Sequence, residues 1–116
     1  MLLRWFQVHR QSQHQVLPTP VRSYIHNVWR REELERVAEI CLKYNVIWMV
    51  DEMHCDFIFP GHTFTSCMNL DEKYRQILAL YSSPGKTFNV AGFQPANIII
   101  PNEELRKKYQ WANTQA

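Results

Sequence analysis

Three short apolar runs, at residues 46–50, 77–81 and 96–100, constrain the fold of this chain more than any other sequence feature. Each has the length of a strand, and the first, VIWMV, is apolar at every position. A continuously apolar run is typical of a strand that is buried on both faces of a parallel sheet. Together with a helical pattern before and after them, the runs predict an α/β arrangement.

A helical pattern lies on each side of these strands. Before the first run, apolar residues recur with helical spacing at Leu34, Val37, Ala38, Cys41 and Leu42. Glu32, Glu33 and Lys43 match the dipole of that helix, and Asn45 is a plausible stop. After the third run, residues 102–111 predict a second helix with Asn102 as its cap. The order helix, strand, loop, strand, loop, strand, helix follows.

The first 25 residues show no periodic element. They are rich in Gln, His, Arg and Pro, and we expect Pro18 and Pro20 to break whatever precedes them. We therefore expect residues 1–25 to be a poorly structured leader and residues 26–116 to form the folded domain. The first acidic residue is Glu32, and an Arg-rich start without acids leaves a transit peptide as an alternative.

The composition of the chain limits the kinds of partner and the cell compartment that we expect for it. The formal charge of +2 is too small to indicate nucleic acid or an acidic membrane as a partner. No apolar run approaches the ~20 residues of a membrane span. The three cysteines, Cys41, Cys55 and Cys67, form no C-x-x-C pair. Reduced thiols in a cytoplasmic protein are the simplest interpretation.

Two polar loops follow the first two predicted strands. Residues 51–56 read DEMHCD and residues 82–89 read SSPGKTFN. In open α/β sheets, chemistry collects just beyond the carboxyl ends of the strands, where these loops would meet. Each loop alone also fits an ordinary solvated strand end or turn. Asp, His and Cys are metal-ligand types, but their spacing matches no closed tetrahedral pattern, so we predict no metal.

A helicase-type ATPase is a second interpretation of the same loops. Residues 51–54 imitate an acidic Mg²⁺-binding strand, and residues 85–87, Gly-Lys-Thr, imitate the end of a phosphate loop. That loop needs a glycine five positions before its second glycine, where this chain has Leu80. The two parts also occur in the reverse of the usual order, which disfavours ATP binding.

A lysine paired with a carboxylate suits pyridoxal 5′-phosphate (PLP) better. That cofactor needs a lysine for its Schiff base and a carboxylate that keeps its pyridine nitrogen protonated. Lys86 and Asp51 supply these groups, and hydroxyls at Ser82 and Ser83 could hold the phosphate.

From Trp29 onward the chain resembles the PLP-dependent cystathionine β-lyase/aminotransferase family. The resemblance rests on residues 28–62 and 82–109, and above all on the motifs DEMHCDF at 51–57 and KTFNVAG at 86–92. It implies an α/β fold: a partial three-layer sandwich, which is a slice of the large domain of the aspartate aminotransferase fold (fold type I).

The resemblance also implies roles for individual residues. Lys86 matches the lysine that forms the Schiff base, and Asp51 matches the aspartate paired with the pyridine nitrogen. His54 matches a position near the 3′-oxygen of the cofactor. Ser83 matches a hydroxyl near the phosphate, with Ser82 as a weaker match.

Two positions depart from the family pattern. The family reads His-Asn-Pro-x-Gly-x-x-Trp, whereas residues 26–29 read His-Asn-Val-Trp. Asn27 is the candidate for the residue that binds the 3′-oxygen, in a loop that is four residues short. Gly85 stands where the family usually has serine, which removes a phosphate contact.

The implied activity is carbon–sulfur β-elimination, or transamination, of amino acids. Lys86 would remove the α-proton of cystathionine or another cysteine S-conjugate, and cystathionine would give homocysteine, pyruvate and ammonia, as in methionine biosynthesis. Family members are much longer and form homodimers. We therefore expect a truncated chain that is weak or inactive in isolation; the alternative is an inactive remnant that associates with an intact relative.

Overall fold

The computed structural model describes residues 15–20, 22–23 and 27–115, and the side-chain environments from residue 28 onward. A four-stranded sheet lies at the centre of the described chain. In chain order the strands are β1 (Gln15–Pro20), β2 (Arg22–Ser23), β3 (Asn27–Val28), β4 (Val46–Asp51), β5 (Leu78–Ser82) and β6 (Asn97–Ile99). The order in the sheet is β1-β4-β5-β6, and β2 pairs with β3 separately. β1, β4 and β5 are parallel, whereas β6 is antiparallel to β5.

Three α-helices and two short 3₁₀ turns complete the described chain. The helices are α1 (Arg31–Lys43), α2 (Glu72–Arg75) and α3 (Glu103–Thr114), and the 3₁₀ turns are Cys67–Asn69 and Ala91–Phe93. Within this part of the chain, no helix is both long enough and apolar enough to cross a membrane.

The first predicted helix is confirmed as α1. The backbone N–H of Arg30 donates to Glu33 Oε2 at 2.8 Å, which satisfies a donor at the start of the helix. Leu34, Ala38 and Cys41 are buried as predicted. Leu42 is 39% exposed, so its assignment to the buried face was wrong. It lies about 80° around the helix axis from Leu34, at the margin of the stripe.

The central strand β4 buries both faces, as predicted for residues 46–50, and its neighbour β5 does the same. Because successive side chains alternate across a strand, β4 and β5 contribute to two cores. The core on the α1 side contains Trp48, Val50, Leu78 and Leu80, together with Cys67, Leu70 and Tyr74. The core on the α3 side contains Ile47, Met49, Ala79 and Tyr81, together with Ile100 and Leu105. The result is a helix–sheet–helix sandwich.

β1 is an element that the sequence analysis did not predict. Residues 15–20, placed in the poorly structured leader, pair in parallel with β4 over the register Gln15↔Val46 to Pro20↔Asp51. Pro18 and Pro20 fit there because β1 is an edge strand of the described sheet, where a missing backbone N–H is tolerated. Residues 1–14 and 24–26 lie outside the described residues, so the predicted domain boundary at residue 26 stays a prediction.

The last helix is also confirmed. Asn102 Oδ1 accepts the N–H of Leu105 at 3.0 Å, the N-cap bond that the sequence predicted. α3 continues to Thr114, beyond the predicted end near residue 111. Arg106 Nη1 donates to the carbonyl of Ile100 at 2.8 Å and ties the first turn of α3 to the end of β6.

Candidate functional site

The two polar loops follow neighbouring parallel strands at one edge of the sheet. Asp51, the last residue of β4, pairs in register with Tyr81 of β5, and Ser82 ends β5 one residue later. The backbone N–H of Glu52 donates to the carbonyl of Tyr81 at 2.8 Å and extends the pairing by one step. The structure therefore places the start of the loop at 51–56 beside the start of the loop at 82–89, as predicted.

Asp51 presents a carboxylate at this edge. Its side chain is exposed, and Oδ1 accepts the N–H of Met53 at 3.0 Å. In the part of the chain that the structure describes, Oδ2 makes no hydrogen bond. One carboxylate oxygen thus fixes the turn after β4, and the other can accept a hydrogen bond from a bound molecule.

Glu52 is a residue whose role the sequence analysis missed. It was grouped with a solvated loop, yet it is only 6% exposed. Oε1 accepts the N–H of Cys67 at 2.8 Å, and Oε2 accepts the hydroxyl of Ser66 at 2.9 Å. Burial raises the pKa of Glu52, and the two hydrogen bonds oppose the rise.

The alternation of side chains between the two faces of β4 contained a signal for the burial of Glu52. Trp48 and Val50 lie in the core on the α1 side, and Glu52 follows at the next position of the same period. Its partners, Ser66 and Cys67, lie in the segment that covers this face. A strict two-residue period carried past the strand end would have predicted a buried carboxylate.

His54 is exposed in the loop after β4. Its ring lies 6.3 Å from the ring of Phe57 between centroids, at 53°. Across the described residues, its imidazole forms no hydrogen bond or ion pair. The structure therefore leaves His54 exposed in this loop and does not join it to Asp51 or Lys86, and its role near a cofactor oxygen stays a prediction.

Lys86 lies in a compact turn after β5. The N–H of Phe88 donates to the carbonyl of Pro84 at 3.0 Å, and the N–H of Val90 donates to the carbonyl of Gly85 at 3.0 Å. Asn89 takes the left-handed conformation, with φ of 53°. The side chain of Lys86 is exposed, and its ammonium has no ion-pair partner among the described residues. The turn is thus held by its backbone while the amine stays accessible.

The two serines of this loop differ in what their hydroxyls do. Ser83 Oγ donates to the carbonyl of Pro95 and accepts the N–H of Gly85 at 2.9 Å. Both bonds close the base of the loop, so the hydroxyl proton of Ser83 is already engaged. Ser82 is half-buried, and its hydroxyl makes no hydrogen bond within the described residues. Of the two predicted phosphate ligands, Ser82 therefore has the hydroxyl that is available.

A side-chain hydrogen bond joins the two loops directly. Thr87 Oγ1 donates to Asp56 Oδ2 across 31 residues of sequence. Neither residue was a predicted site residue, because sequence spacing carries no signal for this contact. The residue after Lys86 is thereby attached to the end of the loop that begins at Asp51.

Asn27 lies in β3, where it pairs with Ser23 of β2. Its side chain lies outside what the structure describes, so its predicted contact with a cofactor oxygen stays a prediction. In the ranges that the structure covers, no three His, Cys, Asp or Glu side chains are grouped to hold a metal ion.

Solved structures share this architecture. The chain superimposes on cystalysin from Treponema denticola, whose crystal structure contains pyridoxal 5′-phosphate, with a TM-score of 0.80 and 27% identity. The match covers 99% of this chain and 29% of cystalysin. This likeness confirms the predicted fold, a slice of the large domain of a PLP-dependent transferase of fold type I.

Sequence comparison agrees with the structural one. The chain is 38% identical over 81 residues to the cystathionine β-lyase PatB of Bacillus subtilis, and this match covers 70% of this chain and 21% of that protein. It is 31% identical over 91 residues to human kynurenine–oxoglutarate transaminase 1, and this match covers 78% of this chain and 21% of the transaminase. The chain thus spans about a fifth of the length of these relatives. Residues 26–115 match the profile of the family described as aminotransferase class I and II, and the chain belongs to that family.

Proposed function

We propose that this chain carries the cofactor-binding lysine of a PLP-dependent carbon–sulfur β-lyase of the cystathionine β-lyase type. The observation that carries the proposal is the placement of Lys86 and Asp51 on adjoining loops at the carboxyl edge of β4 and β5. An accessible amine and an accessible carboxylate at one sheet edge are the two groups that this cofactor requires. The 38% identity to a cystathionine β-lyase supports the lyase type over transamination, for which the identity is 31%.

The residues of the site fit the cofactor in chemical type. Lys86 offers a primary amine to an aldehyde, and the free Oδ2 of Asp51 would accept a hydrogen bond from the N–H of a pyridinium nitrogen and so keep that nitrogen protonated. The hydroxyl of Ser82 would hold a phosphate oxygen, and His54 and Asn27 would approach the 3′-oxygen. When bound, the cofactor supplies an electron sink that stabilises negative charge at the α-carbon of the substrate.

The proposed reaction uses Lys86 as acid and base. Its amine removes the α-proton of a cysteine S-conjugate, the C–S bond breaks, and the electron pair leaves with sulfur, which takes up a proton as a thiol. Water then releases the remaining three-carbon unit as pyruvate and ammonia. Transamination needs the same proton removal at Lys86, so the residues of this chain serve either reaction. The proposal includes a cytoplasmic setting, in which the three free cysteines stay reduced.

The cofactor part of the proposal is tested by trapping. The 116-residue chain is incubated with pyridoxal 5′-phosphate, reduced with borohydride and digested, and the pyridoxyl group is located by peptide mass spectrometry. We expect an adduct on Lys86 that is lost in Lys86→Ala and kept in Lys108→Ala, an exposed lysine on α3. Labelling scattered over Lys43, Lys107 and Lys108 would contradict the proposal.

The lyase part is tested by products. Cystathionine is supplied to the cofactor-loaded chain, alone and mixed with an intact relative such as PatB. Pyruvate and ammonia that require Lys86 would support β-elimination, whereas exchange of amino and oxo acids would indicate transamination. Activity that appears only in a mixed oligomer, seen by native mass spectrometry, would favour the alternative of a chain that associates with a relative.

A further inference from the structure

The hydrogen bond between Thr87 and Asp56 connects the two loops of the candidate site. Thr87 follows Lys86 directly, and Asp56 lies at the far end of the loop that starts at Asp51. The bond therefore links the loop of the predicted amine to the loop of the predicted carboxylate. Asp56 Oδ1 faces the thiol of Cys55 at 3.8 Å, so the stronger interaction of this carboxylate is the one with Thr87.

The other hydrogen bonds of the Lys86 turn do not reach across to the neighbouring loop. Those from Phe88 and Val90 close the turn on itself, and Ser83 connects its base to Pro95. The Glu52–Tyr81 bond joins the strand ends, before either loop departs. Within the described chain, Thr87–Asp56 is thus the side-chain hydrogen bond that sets the Lys86 turn relative to the loop after β4.

We propose that Asp56 and Thr87 are positioning residues that hold the Lys86 amine over the edge occupied by Asp51. This inference rests on the proposed function, because it concerns how Lys86 meets the cofactor. Reactive groups must be held within roughly 0.5 Å of their working geometry by residues around them. Lys86 is exposed and carries a long flexible side chain, so its direction depends on the turn from which it projects.

The test compares variants that keep or remove this hydrogen bond. Thr87→Val removes the hydroxyl with little change in shape, Thr87→Ser keeps it, and Asp56→Asn removes the charge of the acceptor. Asp71→Asn is the matched control, since Asp71 is an exposed aspartate whose side chain forms no hydrogen bond with a described residue. Circular dichroism establishes that each variant is folded.

Two measurements are made on each protein. The first is the yield of the borohydride-trapped pyridoxyl adduct on Lys86 relative to Lys43, Lys107 and Lys108. The second, without cofactor, is hydrogen exchange at the amides of Phe88 and Val90, which report on the turn itself. We expect Thr87→Val to lower the Lys86 selectivity, and to speed exchange, by about fivefold to tenfold, the effect of losing one hydrogen bond. Asp56→Asn keeps an amide oxygen as acceptor but loses the charge, so it should act in the same direction with a smaller effect. Thr87→Ser and Asp71→Asn should resemble the wild type.

The two measurements separate this inference from the function on which it rests. Selective trapping at Lys86 that is unchanged in Thr87→Val and Asp56→Asn would overturn the positioning role and leave the proposed function standing. Absence of selective trapping in the wild type would overturn the proposed function. In that case hydrogen exchange alone decides. Exchange that is faster in Thr87→Val and returns to the wild-type rate in Thr87→Ser supports Thr87 and Asp56 as the pair that holds the Lys86 turn. Unchanged exchange in Thr87→Val overturns that role.

Discussion

Asp51 and Glu52 are neighbours in the chain, yet one carboxylate is exposed and the other is buried. Asp51 ends β4 at the open edge of the sheet, whereas Glu52 is 6% exposed and accepts hydrogen bonds from Cys67 and Ser66. The motif that suggested one polar loop therefore contains two carboxylates in different environments. Asp51 is available to a ligand, and Glu52 attaches the segment at 66–67 to the end of the central strand.

The first prediction concerns the stability that Glu52 provides. Glu52→Ala should lower the free energy of unfolding by about 2 kcal/mol, because the buried N–H of Cys67 and the hydroxyl of Ser66 lose their acceptor. Glu52→Gln should cost about 1 kcal/mol, since the amide oxygen still accepts one bond. Urea denaturation measures both. The exposed neighbour provides the control: Asp51→Asn should change stability little, and an equal loss there would refute the distinction.

A second prediction follows from the ionisation of Glu52. Burial raises its pKa in the folded chain above the ordinary value of 4.5, so the folded state holds this proton more tightly than the unfolded state. The stability gained is complete below about 4.5 and is lost as the pH rises through the raised folded pKa. The difference in unfolding free energy between wild type and Glu52→Gln should therefore shrink as the pH increases from 4 to 8. A difference that grows with pH would show that the hydrogen bonds outweigh burial.

The third prediction separates the two serines of the lysine loop. Ser83→Ala should destabilise the chain by about 1 kcal/mol, because the carbonyl of Pro95 and the N–H of Gly85 lose a partner. Ser82→Ala should leave stability nearly unchanged and weaken the binding of pyridoxal 5′-phosphate. Pyridoxal without its phosphate is the control ligand, since its binding should be the same in wild type and Ser82→Ala. A loss of phosphate-dependent binding in Ser83→Ala alone would reverse the assignment.

The regular elements were predictable because burial repeats along them. Residues 46–50 are apolar throughout since β4 packs on both sides, and the spacing of Leu34, Ala38 and Cys41 reflects contact with one face of the sheet. β1 was not predictable in the same way. It contains Pro18 and Pro20, which usually argue against a strand, and its place is set by pairing with β4.

The sequence predicted which two loops lie side by side, but not the contacts between them. The family motifs located Lys86 and Asp51, and the parallel order of β4 and β5 brought their loops to one edge. The Thr87–Asp56 bond joins residues 31 positions apart, and the bonds of Ser83 depend on how residues 83–95 turn back. Such long-range contacts follow from tertiary packing, which local sequence patterns do not encode.

The last prediction concerns Gly85, the position at which the sequence resemblance implies a serine in the family. A Cβ at this position would lie 3.0 Å from Ser83 Oγ and 3.6 Å from the Cα of Ala91. The first contact is closer than ordinary packing allows, but it involves a hydroxyl that can rotate away at the expense of its bonds to Pro95 and Gly85. A side chain at Gly85 should therefore weaken the Ser83 clasp, which is the pair of hydrogen bonds that Ser83 Oγ makes with the carbonyl of Pro95 and the N–H of Gly85.

In a double-mutant cycle, Gly85→Ala should destabilise the wild type more than it destabilises Ser83→Ala, with a coupling of about 0.5–1 kcal/mol. Unfolding in urea measures each corner of the cycle, and additive effects would mean that the Ser83 clasp tolerates a side chain beside it. Coupling of the expected sign would mean that glycine at this position and the Ser83 clasp depend on each other, which is a physical reason for the departure from the family pattern.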